Sequence, residues 1–379
     1  MFQEIKVRLN SLFLSNFRNF KTLDLEFCPH WNIFWGDNGE GKTNLIEALY
    51  CLGYGSSYRT NCDEELIKWE EKGLYLKGEG CKRKVFLDYE FVLSRNNSKI
   101  RKVNSHRVNL RDSSKWLWMV VFSPDDIWLI KGPPLERRNF LDAKLPLFNP
   151  RYPYLKSSYQ RILSQRNYLL FFAKKNKRTD GQLESWDEQL IDVGSIIVKI
   201  RLEGLRKLSS FFTTIYPKIN GKECRANLVY KSSFLKGDFS SLTLEEIKTI
   251  FRKELELKRK KEMEQEVTLV GPHRDDFLIL RNGVSLRPFG SQGEQRMAAL
   301  SLRLAELELV KSKEEDYPLS LLDDIAPELD PARQRLLLNS VKKQGQVFLT
   351  ATNLSLFKNN VSEETYFYQV KANNVRRQV

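Results

Sequence analysis

Residues 31–43 read Trp31-Asn32-Ile33-Phe34-Trp35-Gly36-Asp37-Asn38-Gly39-Glu40-Gly41-Lys42-Thr43, an order that predicts a buried strand, a glycine-rich turn and the start of a helix. The run 31–35 is almost wholly apolar, and 42–52 continues with apolar residues at helical spacing. Between them stands the pattern G-x-x-x-x-G-K-[ST]. Its glycines let backbone N–H groups turn inward around a phosphate, where a side chain would collide. Lys42 offers a point charge to the outer phosphate oxygens, Thr43 a hydroxyl to Mg²⁺, and the helix start its positive dipole end. Gly36, Asp37, Asn38, Gly39, Glu40, Gly41, Lys42, Thr43 and Asn44 are therefore the expected nucleotide-binding residues, for ATP with Mg²⁺, and Lys42 is also expected at the chemistry. A glycine turn with an exposed lysine would explain the letters but not their place between strand and helix.

Two further segments gain meaning from this loop. Leu319-Ser320-Leu321-Leu322-Asp323-Asp324 reads as a buried strand ending in two acids. Asp323 is expected to hold Mg²⁺ together with Thr43, partly through water, and Asp324 to orient or deprotonate the attacking water. Ser320 interrupts the apolar run. Phe289-Gly290-Ser291-Gln292-Gly293-Glu294-Gln295-Arg296 opens a helix about 30 residues earlier. It resembles the ABC-type signature, in which Ser291 and Gly293 would grip a nucleotide bound by another subunit. Alone, Ser-x-Gly-Glu is a helix cap with a carboxylate near the dipole. Glu328-Leu329-Asp330 fits the D-loop of such ATPases. Thr350-Ala351-Thr352 falls where many of them carry a sensing histidine, which this chain lacks.

Loop and carboxylates lie about 280 residues apart, so an insertion separates two halves of one nucleotide site. Strand patterns occupy 7–14, 22–27, 31–35 and much of 75–121. The middle is helical, over 154–174, 184–216 (halted by Pro217) and 244–264, with a polar bend at 176–182. The α/β rhythm returns after 266, with a hairpin around Asn282-Gly283, helices at 292–311 and 331–343, and strands at 319–322 and 346–350. This predicts an α/β fold of ABC type, a P-loop ATPase domain like the heads of SMC and Rad50 proteins, with an inserted α-helical arm. The expected limits are 1–133 with 266–379 for the head and 134–265 for the arm.

The 379 residues are 41% hydrophobic, enough for a substantial core, and carry 62 Lys and Arg against 48 Asp and Glu, a net charge of +14. Such an excess favours a polyanionic partner. Arg151, Lys156, Arg161, Arg166, Lys174, Lys175, Lys177 and Arg178 follow one another without an acid, and Arg95, Lys99, Arg101, Lys102, Arg107 and Arg111 crowd the β-rich region. Lys102, Arg107, Lys174, Lys175, Lys177 and Arg178 are the DNA-contact candidates. With no base-reading motif in the sequence, backbone and shape are the expected targets. Five scattered cysteines without a Cys-x-x-Cys pair argue against disulfide or zinc frameworks and fit a cytoplasmic protein. No signal peptide or apolar stretch of membrane length is present, so no membrane partner is expected.

Taken together, these motifs resemble the RecF family of bacterial recombination and gap-repair ATPases. The resemblance runs through 12–20, 36–44, Ser57-Tyr58-Arg59-Thr60, Phe122-Ser123-Pro124-Asp125-Asp126, 137–142, Gly271-Pro272-His273-Arg274-Asp275-Asp276, 289–296 and 321–330. Glu294 departs from an expected Gln, and Ala326-Pro327 from a hydrophobic-serine pair. The resemblance implies an ATP-dependent homodimer and binding to single-stranded DNA and to gapped or junction duplexes. It also implies slow, DNA-stimulated hydrolysis that acts as a switch, help to RecO and RecR in loading RecA, and a place in the SOS response. It places 271–276 near the ATPase core. The alternative is a Rad50/SMC-like ATPase subunit of a nuclease or chromosome-organising complex, which would carry a far longer arm. A small-molecule kinase would need an acceptor pocket in place of the signature helix, and a transporter ATPase would favour the sensing histidine.

Overall fold

Alternating apolar residues such as Leu12, Leu14, Leu23 and Leu25 force extended pairing with one buried face. The computed structural model describes residues 7–96, 98–108, 117–175, 180–221, 224–237, 239, 241–324, 329–342, 345–354 and 364–378, without the side chains of 173–175 and 180. Two compact units emerge, one formed by 1–126 with 302–379 and the other by 127–301.

In the first unit, β1 (Val7–Phe17), β2 (Phe20–Glu26), β4 (Gly73–Lys82), β5 (Val85–Ser94), β6 (Lys99–Val103) and β7 (His106–Arg107) form an antiparallel sheet in the order β2-β1-β4-β5-β6-β7. A second sheet runs β15-β14-β3-β13-β12-β8, from β3 (Trp31–Trp35), β8 (Met119–Phe122), β12 (Leu319–Leu322), β13 (Val347–Ala351), β14 (Thr365–Lys371) and β15 (Asn374–Gln378). Its strands β8, β12, β13, β3 and β14 are parallel, and β12 and β13 are buried throughout, as a covered parallel sheet demands. Helix α1 (Lys42–Tyr54) packs against strands of both sheets. That explains why Leu45, Ile46, Ala48, Leu49 and Leu52, pointing in several directions, are all buried in one core with Leu12, Phe34 and Phe348.

The second unit holds α2 (Trp128–Lys131), α3 (Pro134–Asp142), α4 (Tyr152–Lys175), α5 (Asp180–Asn220) and α6 (Leu244–Gln265). It also holds the antiparallel sheet β11-β10-β9, built from β9 (Ala226–Lys231), β10 (Asp276–Arg281) and β11 (Val284–Ser285), followed by α7 (Leu286–Phe289). Helix α8 (Gln292–Glu314) starts here and continues into the first unit, where α9 (Pro331–Lys342) lies between β12 and β13. Arg166 is fully buried and ties three helical segments together, donating to Asp187 (2.6 Å), Glu262 (2.7 Å) and the Thr268 hydroxyl (2.8 Å).

Three expectations change. Pro217 does not halt α5, which runs on to Asn220, because Tyr216 and Ile219 on either side are buried and only the last turn forgoes a backbone bond. The compact units divide at 126/127 and 301/302, whereas the sequence suggested 133/134 and 265/266. The cause is β9, unread in the sequence, which pairs with β10 and draws 266–301 into the helical unit. Arg101 and Arg166, counted in the basic runs, are buried, Arg101 donating to the Leu52 and Gly53 carbonyls (2.9 and 2.6 Å).

Candidate nucleotide site

The glycine turn leaves β3 and enters α1 through Gly41, whose φ of +100° is left-handed and whose absent Cβ would meet Asn19 at 2.5 Å. Gly36 is equally constrained, since a Cβ there would lie 2.2 Å from the Val370 carbonyl on β14. Lys42 is 6% exposed and curls back over the turn, its Nζ donating to the Gly36 (2.7 Å) and Asp37 (2.8 Å) carbonyls. Burial lowers its pKa from the ordinary lysine value, against the opposing pull of Asp324, Asp37, Asp323 and Glu40. The Glu40 carboxylate accepts from the Ala372 N–H in the β14–β15 turn, so the C-terminal hairpin braces the loop.

The end of β12 brings the carboxylates to this loop. Thr43 donates to Asp323 Oδ1 at 2.9 Å, Thr350 to the same oxygen at 3.1 Å, and Tyr58 to Oδ2 at 2.8 Å. Burial raises the Asp323 pKa above the usual carboxylate range, and the three hydroxyl donors work against that rise. Asp324 takes a left-handed φ of 48°, and its N–H donates to Thr350 Oγ1 at 2.8 Å. The Thr350 hydroxyl thus bridges both acids at the position read as lacking a histidine. Asp324 Oδ1 is buried and without a hydrogen-bond partner. An orphaned carboxylate oxygen beside a glycine-rich turn and a buried lysine fits a ligand bearing water, a metal ion and phosphates. Among the described residues no cluster of three His, Cys, Asp or Glu side chains could hold a metal ion. A cation on Thr43 and Asp323 would therefore take its other ligands from water and phosphate, as Mg²⁺ commonly does.

Behind the loop runs a polar network that sequence reasoning left without roles. Glu47, fully buried on α1, accepts two bonds from Arg18 (2.9 and 2.8 Å), one from Arg59 (3.1 Å) and one from Ser57 (2.5 Å). Asn44 donates to Asn19 (2.7 Å) and accepts from Arg59 (2.9 Å). The available signal was Glu47 itself, an acid on a helix otherwise buried by apolar residues, which needs a cationic partner. A cavity of about 350 Å³ adjoins this network, lined in part by Arg18, Asn19, Asn44, Lys68 and Trp69.

Ser291 and Gly293 belong to the helical unit, at the start of α8, and both are exposed. Ser291 and Glu294 form a capping box: the Ser291 N–H donates to Glu294 (2.8 Å) and the Glu294 N–H to the Ser291 hydroxyl (3.3 Å). Glu294 also pairs with Arg281. A Cβ on Gly293 would meet nothing within 4 Å. Asp330 caps α9 through the Ala332 and Arg333 N–H groups, while Glu328 lies outside the described residues. The 271–276 segment belongs to the helical unit rather than the head: Tyr159 bonds His273, Arg201 the Pro272 carbonyl, and Tyr230 the buried Asp275.

Among the DNA candidates, Lys102 pairs with Glu90 at 3.2 Å and Arg107 is exposed on β7. The Lys174 and Lys175 side chains and the whole of Lys177 and Arg178 fall outside the described residues. No described helix is long and apolar enough to cross a membrane.

The family model "RecF/RecN/SMC N terminal domain" matches residues 8–376. The chain is 37% identical over 373 residues to the DNA replication and repair protein RecF of Heliobacterium modesticaldum, covering 98% of this chain and 99% of that one. It is 40% identical over 353 residues to the protein of the same name from Halothermothrix orenii, covering 91% and 92%. A solved structure of the recombination mediator protein RecF with ATPrS, in the RecFOR pathway, superposes with a TM-score of 0.90 at 32% identity over 100% of both chains. The head domain of Pyrococcus furiosus Smc, with an extended coiled coil and bound ScpA C-terminal domain, is similar in fold, with a TM-score of 0.55 at 16% identity over 98% and 96%.

Proposed function

This chain belongs to the RecF/RecN/SMC family, among its RecF members, and we propose that it is an ATP-switched DNA-binding protein of replication and recombinational repair, acting in the cytoplasm. Its ligands are ATP and Mg²⁺, and its DNA targets are single strands and gapped or junction duplexes. By the RecFOR name of its relatives its partners are RecO and RecR, and through them RecA.

The observation that carries the reading is the convergence of Lys42, Thr43, Asp323 and the orphaned Asp324 oxygen. The loop N–H groups and Lys42 hold the phosphates. Thr43 and Asp323 would hold Mg²⁺, which would polarise the terminal phosphate oxygens. Asp324 aligns a water molecule and accepts its proton, while Thr350 fixes the backbone on which both acids sit. The cavity beside Arg18 and Trp69 has room for the nucleoside.

Gly293 supports a site shared between two protomers. Glycine in a first helical turn is less stable than alanine by roughly 1 kcal/mol, and no neighbour in its own chain requires it. Open space there suits close approach by a bound nucleotide of a second copy. ATP thus dimerises the protein on DNA, and slow hydrolysis, stimulated by DNA, releases it.

Sedimentation velocity with gapped duplex, with and without Mg-ATP, tests this. A dimer and a DNA complex that form only with ATP are expected. DNA affinity indifferent to ATP would remove the switch.

A further inference from the structure

We propose that Trp69 stacks on the base of the bound nucleotide and biases the site towards purine triphosphates, an inference that rests on the nucleotide-binding reading above. The cavity of about 350 Å³ is lined in part by Arg18, Asn19, Asn44, Ile67 and Lys68, with Trp69 as its one aromatic ring. It adjoins the phosphate loop itself. Asn19 stands 2.5 Å from where a Gly41 Cβ would be, and Asn44 directly follows Thr43.

An isolated aromatic on a protein surface is ordinary, but the chain around Trp69 holds this one out on a pinned turn. The Lys68 N–H donates to the Asn16 carbonyl (2.9 Å) and the Arg18 N–H to the Leu66 carbonyl (2.8 Å), which fastens the segment to the end of β1. The Glu71 N–H closes the turn on the Lys68 carbonyl (3.1 Å), with Glu70 at a left-handed φ of 68° that non-glycine residues rarely adopt. Arg95 Nε secures the far side by donating to the Glu71 carbonyl at 2.7 Å. On this turn the Trp69 side chain is 89% exposed, so core packing does not account for it.

The chemistry of the cavity identifies the occupant. Arg18 is committed to Glu47 through two bonds, and Lys68 donates to the Asn19 carbonyl at 3.2 Å. The walls thus place polar groups around a single large ring. A flat heteroaromatic base, whose edges carry donors and acceptors, suits both. An apolar ligand would desolvate the bordering amides and cations without pairing them, and a bare polyphosphate would leave the ring unused. Stacking strength rises with ring overlap, so a purine gains more from the indole than a pyrimidine.

Calorimetric titration of the full chain with Mg-ATP, Mg-CTP and Mg-tripolyphosphate tests this in wild type, Trp69→Phe and Trp69→Ala. Trp69→Ala should bind ATP about 5- to 150-fold more weakly, the loss of one stacked base, and Trp69→Phe should recover most of that affinity. Tripolyphosphate, which has no base, should bind all three proteins alike, and the preference for ATP over CTP should shrink in Trp69→Ala. ATP should also quench the fluorescence of wild type more than that of Trp69→Phe, which lacks only this one of the seven tryptophans. Equal thermal melting of the three proteins certifies the fold. Unchanged ATP affinity in Trp69→Ala would overturn the stacking role, and so would an equal loss on tripolyphosphate. Weaker ATP-dependent dimerisation with intact nucleotide affinity would overturn it too, making Trp69 a protein-docking residue. Each of these leaves the phosphate loop in place as the nucleotide site, whereas a wild-type protein that bound neither ATP nor tripolyphosphate would overturn the underlying reading as well.

Discussion

Asp323 and Asp324 are adjacent in sequence but differ in surroundings, and that difference separates their expected roles. Asp323 is held by three hydroxyls, whereas one Asp324 oxygen is buried without a partner. Asp324→Asn keeps the shape and the Thr350 bond but removes the base. It should bind ATP normally and turn over about 10²–10⁴-fold more slowly; normal turnover would refute the assignment. Tyr58→Phe removes one of the three donors that oppose the burial-driven rise in the Asp323 pKa. The acid limb of the ATPase pH profile should then move upward, and a limb that stays put or moves downward would place Tyr58 outside the site's electrostatics. His273 titrates in the opposite sense to most paired histidines. The Thr268 carbonyl can only accept, so Nε2 bears the proton and Nδ1 accepts from the Tyr159 hydroxyl (2.8 Å), a neutral ring whose pKa burial lowers to about 4. The unfolded chain, with histidine near its ordinary value, binds the proton first as pH falls. Stability from this group is therefore complete above about pH 6.5 and is lost progressively down to about pH 4. Urea melts of wild type and His273→Gln across that window should show the variant with a flatter pH dependence.

Elements were legible where their signal is local. The loop, α1, β3 and β12 follow from neighbouring residues, and the Asn282-Gly283 hairpin from turn chemistry, with left-handed φ at both positions (48° and 81°). What stayed hidden depends on partners far along the chain. Strand β9 exists as part of the β10 sheet, Tyr58 reaches Asp323 across 265 residues, and the β14–β15 hairpin braces a loop more than 300 residues earlier. Arg166 is the clearest instance: in sequence it is one of a basic run, yet it sits at 0% exposure between Asp187 and Glu262. Arg166→Met should destabilise the protein by about 3–5 kcal/mol, because two acids remain buried without their shared cation. Adding Glu262→Leu should recover part of that loss. A single-variant effect below about 1 kcal/mol in chemical denaturation, the range of an exposed pair, would mean that water reaches the cluster.

At the scale of the whole molecule, the loop and both carboxylates belong to one compact unit, and Ser291 and Gly293 to the other. A shared site predicts complementation between damaged chains. Lys42→Met removes the loop's counter-charge, and Ser291→Arg obstructs the exposed start of α8, so each homodimer should be inactive. In a two-fold dimer that pairs one chain of each kind, one site collects both defects and the other contains neither. An equal mixture that pairs at random should then regain about a quarter of wild-type ATPase, half of the dimers each carrying one intact site. Should the two sites need to fire together, hydrolysis would stay low even though mixed dimers formed, so sedimentation of the mixture belongs beside the rate assay. The decisive control is concentration. A shared site makes turnover per chain rise with protein concentration, in step with the sedimenting dimer. Full turnover by a species that sediments as a monomer would end the shared-site mechanism and return Ser291 and Glu294 to the plain helix cap that their hydrogen bonds already form.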